Sequence, residues 1–82
     1  MEDVTRNKNI CIDFLNGGTY RTVGSRYGVS AARVAQILHK YMRRATYRNP
    51  LALNYYEAAQ KARGTTDLRK HKDLFIPLIE AR

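Results

Sequence analysis

The sequence predicts an all-α fold, and three observations carry that prediction. Apolar residues recur at intervals of three and four through most of the chain, the period of a helix with one buried face. Capping residues and glycines stand between those stretches, where helices start and stop. Residues 14 to 56 hold seven Arg or Lys and no Asp or Glu, and within them residues 19 to 39 have the spacing of two helices joined by a glycine turn. The expected architecture is a trihelical helix-turn-helix unit over residues 1–48, with one or two additional C-terminal helices over 49–82.

Glu2 and Asp3 place negative charge at the start of the first helix, where the macrodipole favours it. Val4, Ile10, Cys11, Phe14 and Leu15 then form an apolar stripe, and Asn16-Gly17-Gly18 ends the helix. Thr19 is a suitable N-cap for a second helix from Tyr20 to Arg26. Tyr27-Gly28-Val29 makes the turn, with Gly28 where a positive φ costs little. Ser30 caps a third helix that runs to about Tyr47, its buried stripe being Val34, Ile37, Leu38 and Tyr41.

Asn49-Pro50 restarts the chain as a fourth helix, since a cap residue followed by proline suits a first helical turn. Leu51, Tyr55, Ala58, Ala59 and Ala62 are expected on its inner face, and Gly64 closes it. A fifth helix carries Leu68, Phe75, Ile76 and Ile79 behind a cap at Thr66 or Asp67. Pro77 removes the bond to the Asp73 carbonyl, so a kink or break is expected there. The run from Arg69 to Lys72 reads as a solvated helix face. Tyr27 and Tyr41 read as core, while Tyr47, Tyr55 and Tyr56 suit a helix junction.

Charge sets the class of partner. Eighty-two residues with a formal charge of +8 make one small domain that repels itself unless a polyanion is present. The only acids are Glu2, Asp3, Asp13, Glu57, Asp67, Asp73 and Glu80, so the central positive field has no carboxylate within its own stretch of chain. The longest apolar run, Leu74 to Ile79, is far short of the ~20 residues that span a bilayer. No secretory signal is visible at the N-terminus, and a single Cys11 fits a reducing compartment. A cytoplasmic protein with no membrane partner is expected.

A helix-turn-helix needs a small residue where its helices cross, a glycine in the turn and apolar inner faces. Gly24, Gly28 and the set Val23, Tyr27, Val29, Val34 and Ile37 occupy those positions. With Arg43-Arg44 as a basic exit, residues 19–44 resemble the helix-turn-helix of bacterial sigma factors that reads the promoter −35 element, and that of related small phage regulators. The matching residues are Val23-Gly24, Tyr27-Gly28-Val29-Ser30, Arg33-Val34 and Gln36-Ile37, and the match covers about a third of the chain. The resemblance implies DNA recognition through the third helix. The chain departs from it at Ala31, Ala32 and Ala35, where sigma factors place charged residues, which argues against a standard −35 hexamer.

The residues expected to reach base edges are Ser30, Ala31, Ala32, Arg33, Gln36 and His39, although Arg33 lies on the flank, where phosphate comes ahead of guanine. Gln36 is the strongest, because its amide can pair bidentately with adenine; the alanines can touch thymine methyls. Thr19, Tyr20, Arg21, Arg26, Lys40, Arg43, Arg44 and Arg48 are expected on phosphates, which position the protein without reading sequence. Basic and aromatic residues together also suit single strands, but no common RNA-binding module is visible.

Enzyme chemistry lacks its parts. The basic half has no carboxylate pair, one cysteine and two separated histidines give no metal-ligand spacing, and the glycines match no phosphate loop. No catalytic residue, metal, cofactor or small-molecule substrate is therefore expected. Ile12, Leu53, Tyr56, Leu74 and Leu78 fall off the expected stripes. That surplus implies that residues 50–82 wrap back over the trihelical unit or form a homodimer interface, the homodimer being favoured. The function expected is a double-stranded DNA-binding transcriptional regulator. The alternatives are a module docking on RNA polymerase or another factor, and the DNA-recognition subunit of a phage packaging machine.

Overall fold

The first helix, α1 (Val4–Leu15), starts where Asp3 accepts a hydrogen bond from the Arg6 amide at 2.9 Å. Asp3 is thus the N-cap itself, lying just outside the first turn. The computed structural model describes residues 3–62 and 65–81, so the expected roles of Glu2 and Gly64 lie outside the described residues. Among these, every regular element is helical: α1, α2 (Tyr20–Tyr27), α3 (Ala31–Thr46), α4 (Pro50–Lys61), a 3-10 segment (Thr65–His71) and α5 (Lys72–Glu80).

Local chemistry sets the early boundaries. Thr19 and Thr22 cap α2 reciprocally, each hydroxyl accepting the other's amide at 3.1 and 3.0 Å. Ser30 accepts from the Arg33 amide at 3.1 Å to start α3, and Asn49 accepts from the Ala52 amide at 3.1 Å to start α4. Gly28 takes φ +72° at the α2–α3 turn, a conformation glycine adopts without Cβ strain. Gly24 serves close approach instead: a Cβ there would lie 2.5 Å from the Val29 carbonyl oxygen.

Packing then chooses the faces. Ile10, Cys11, Phe14 and Leu15 of α1 meet Val34, Ile37, Leu38, Tyr41 and Met42 of α3 in one core, which Leu68, Phe75 and Ile79 complete. The Cα radius of gyration is 11.7 Å, that of a single compact body of this length, about 12 Å. The C-terminal elements therefore fold over α1 and α3 within one chain.

Four expectations change. Val4 is not core: it is 46% exposed, and Asn7 is buried in its place, its amide donating to the Tyr41 hydroxyl at 3.5 Å. The inner face of α4 is Ala52, Tyr56 and Ala59, while Ala58 and Ala62 are exposed and Leu51 is 54% exposed. Both faces of α4 are apolar at helical spacing, and Tyr56 decides between them by reaching His39 and Gln60. The last helix starts at Lys72 behind the 3-10 segment, so the cap expected from Thr66 or Asp67 is absent from its start; those two side chains lie outside the described set. Finally, α5 runs through Pro77 without the expected break. Only the Asp73 carbonyl loses its partner there, and it lies in the first turn of α5 on an exposed residue that water can reach.

Gly24→Ala should lower stability by about 1–3 kcal/mol, because the new methyl must displace backbone at the α2–α3 contact. Urea unfolding, with the exposed neighbour Ser25→Ala as a control that moves little, checks this. An unchanged midpoint for Gly24→Ala would show that the two helices do not meet there.

Candidate nucleic-acid interface

Burying one side of α3 leaves a strip of its opposite side facing outward. At 100° per residue, Ala32, Gln36 and Arg43 lie within one narrow sector, flanked by Arg33, Lys40 and Arg44. All six are exposed. Ser30 and Ala31 are exposed at the N-terminal end of the same helix, and Arg48 is exposed just beyond its C-terminus. Arg21 is exposed on α2. The helix thus carries a polar and basic surface about three turns long, with no acidic residue on α2, on α3 or in the turn between them.

His39 does not join that surface. Its position on the helical wheel predicts exposure, yet α4 covers it: its Nδ1 lies 3.0 Å from the Tyr56 hydroxyl, which also accepts from the Gln60 amide at 2.9 Å. Burial pushes the Tyr56 phenol above its ordinary range, and the positive charge of Arg43 opposes that rise. Ala35 is half-buried on the same edge. Nothing in residues 30 to 47 signals this cover, because it is supplied by a helix whose inner face is set by tertiary packing.

Three of the expected phosphate residues have other work. Arg26 is paired with Asp13 at 2.9 Å, although its side chain stays 61% exposed. Thr19 uses both its hydroxyl and its amide in the α2 cap. Tyr20 is half-buried, its ring stacked on Phe14 with centroids 4.9 Å apart. Tyr27, expected in the core, is half-buried and donates its hydroxyl to the same Asp13 oxygen at 2.8 Å. Asp13, one of the two acids that bound the basic stretch, thus serves both an arginine and a tyrosine.

Arg69 is not solvated as the charge run predicts. Its Nε donates to the Phe14 carbonyl at 2.9 Å, its Nη2 donates to the Gly18 carbonyl, and its guanidinium lies 4.6 Å from the centre of the Phe14 ring. His71 is likewise engaged, stacked on Tyr55 at 3.8 Å. Cys11 is a buried thiol pushed up to about 12 by desolvation, and a thiol so rarely ionised at neutral pH is a poor nucleophile. Among the described residues there is no group of three or more His, Cys, Asp or Glu that could hold a metal ion. No helix among them is long and apolar enough to cross a membrane.

Comparison of the chain with protein-family models, with curated proteins and with solved structures finds no match.

The Tyr27–Asp13 contact has a pH signature. Accepting the phenolic proton, and carrying negative charge beside it, Asp13 holds the Tyr27 pKa above its ordinary value, with burial adding to the rise and Arg26 opposing it. A raised folded-state pKa means that this contact stabilises the fold fully below about pH 10, the ordinary tyrosine value, and is lost as pH rises through the raised value. Asp13→Asn should therefore lower the Tyr27 pKa. Alkaline titration of tyrosinate absorbance, with Tyr27→Phe to identify the residue, measures this; an unmoved titration would remove Asp13 as the cause.

Proposed function

We propose that the protein binds double-stranded DNA, with α1 to α3 acting as a trihelical helix-turn-helix unit and α3 entering the major groove. The carrying observation is the exposed strip of Ala32, Arg33, Gln36, Lys40, Arg43 and Arg44 on a helix whose other side is buried, in a stretch of chain free of acid. A groove takes a rigid helix with an exposed, basic face. The biological role that fits best is a small sequence-preferring transcriptional regulator. The likeness of residues 19–44 to the sigma-factor and phage-regulator motif supports that reading.

Within it, Gln36 and Arg33 are the base readers, Ser30, Ala31 and Ala32 face the groove floor, and Arg21, Lys40, Arg43, Arg44 and Arg48 hold phosphates. His39 is assigned to the fold rather than to DNA, because Tyr56 occupies it. Arg26 is paired with Asp13 through one nitrogen, and its exposed guanidinium keeps other donors for a phosphate. The small exposed side chains at Ala31 and Ala32 let the helix end approach the bases closely, at the loss of the charged contacts that a −35 reader uses. No cofactor, metal or catalytic group is needed for this function.

A second reading is favoured by one observation. Tyr47 is 76% exposed and Leu51 is 54% exposed at the corner between α3 and α4. Such a corner suits docking on another protein, RNA polymerase included, with DNA as a weaker ligand. It is also close to the outward face of α4, where a second copy of the chain would pack in a homodimer.

A salt titration on random duplex DNA, joined to selection from a randomised pool, separates these readings. DNA recognition predicts a slope of log affinity on log salt that corresponds to about five or more phosphates, and an enriched motif. Gln36→Ala should relax the preference at one base pair, by about 1–3 kcal/mol, without changing the slope. A shallow slope would reject DNA as the ligand, whereas a steep slope with no motif would move the search to protein partners.

A further inference from the structure

The start of α2 is held by a residue from the far end of the chain. We infer that Arg69 is a positioning residue for DNA binding: it fixes the corner between α1 and α2, and through it the end of α2 that carries Arg21. This rests on the reading that the protein binds DNA, and it assigns the C-terminal third a part in that act.

The corner is four residues long, from Asn16 to Thr19, and contains two glycines. Its amides are all bonded, Asn16 to the Ile12 carbonyl at 2.9 Å, Gly17 to the Phe14 carbonyl at 3.1 Å, Gly18 to the Asp13 carbonyl at 3.1 Å and Thr19 to the Thr22 hydroxyl at 3.0 Å, but none of these bonds ties α1 directly to α2. Arg69 adds a bond at each end, to the Phe14 carbonyl in the last turn of α1 and to the Gly18 carbonyl one residue before the α2 cap. Its guanidinium carbon also lies over the Phe14 ring, on which Tyr20, the first residue of α2, is stacked.

The chemistry suits arginine alone. A helix C-terminus presents carbonyls without intrahelical partners, and a cation there is favoured by the macrodipole. A rigid planar fork can satisfy two carbonyls that point at it from different residues and lie flat on an aromatic ring at the same time. A lysine ammonium is a point donor on a flexible stem and does not fix the angle between them. Arg69 is half-buried and committed to these partners, so it acts on DNA only through what it holds.

A double-mutant cycle tests this on the full-length chain. Wild type, Arg21→Met, Arg69→Met and the double variant are titrated on one duplex over a range of salt. If Arg69 acts through α2, Arg21→Met weakens the wild type by about fivefold but the Arg69→Met protein by less than about twofold. Equal factors in both backgrounds overturn the inference while leaving DNA binding intact. No effect of Arg21→Met in the wild type does the same. A purely structural role for Arg69 would lower its melting temperature without erasing the effect of Arg21→Met. Where Arg69→Met fails to unfold cooperatively, Arg69→Lys takes its place in the cycle, and the same pair of factors decides. A wild type whose binding does not depend on salt rejects the DNA reading itself, and this inference with it.

Discussion

Because α1, α2, α4 and α5 all pack on α3, the burial of Val34, Ile37, Leu38, Tyr41 and Met42 constrains the whole protein. A single 16-residue helix supplies the surface on which the other helices find their places. Its remaining strip must then face solvent, whatever that strip carries. Here it carries arginines, a lysine, a glutamine and small residues. One act of packing both closes the core and sets out a basic face at a defined angle to α2, whose approach is fixed by the missing side chain of Gly24.

Electrostatics works against that arrangement in the isolated chain. A charge of +8 sits on a body with extents of 33 × 25 × 18 Å, so neighbouring like charges repel, while those more than about one Debye length (~8 Å) apart are largely screened at physiological salt. Asp13 relieves part of it through an ion pair with Arg26, which is mostly solvent-exposed on the arginine side. An exposed pair of this kind contributes little. The fold therefore rests on its apolar core.

Much of this was legible in the sequence wherever the signal was local. Thr19, Ser30 and Asn49 cap their helices because their side chains meet the amides three residues on, and Gly28 ends α2 because its own φ is positive; none of this needs distant contacts. The stripe Ile10, Cys11, Phe14 and Leu15 and that of α3 were legible for the same reason, since only one face of each helix is apolar over its length. The face of α4 was not. Leu51, Tyr55, Ala58 and Ala62 are as apolar as Ala52, Tyr56 and Ala59, and the choice was made by Tyr56 meeting His39 across the α3–α4 contact. That one contact also engages His39, one of the expected base readers, with α4. The exposed residues of α3 were otherwise readable from the wheel, whereas the role of Arg69, 51 residues from Gly18, had no signal at any shorter range.

The apolar surplus of the C-terminal half resolves by the same logic. Tyr56 enters the core, and Leu74 and Leu78 pack against it as half-buried side chains, so these residues are used within one chain. What stays outward is a smaller set: Leu51 and Ala58 on α4, Ala62 at its C-cap, and Tyr47 at the end of α3. A domain of this size buries only about 60–65% of the surface its unfolded chain exposes. The C-terminal helices are therefore better understood as part of the core than as a free-standing dimerisation arm. Arg69 reaches the α1–α2 corner from within that packed segment, which ties the outer third of the chain to the geometry of α2.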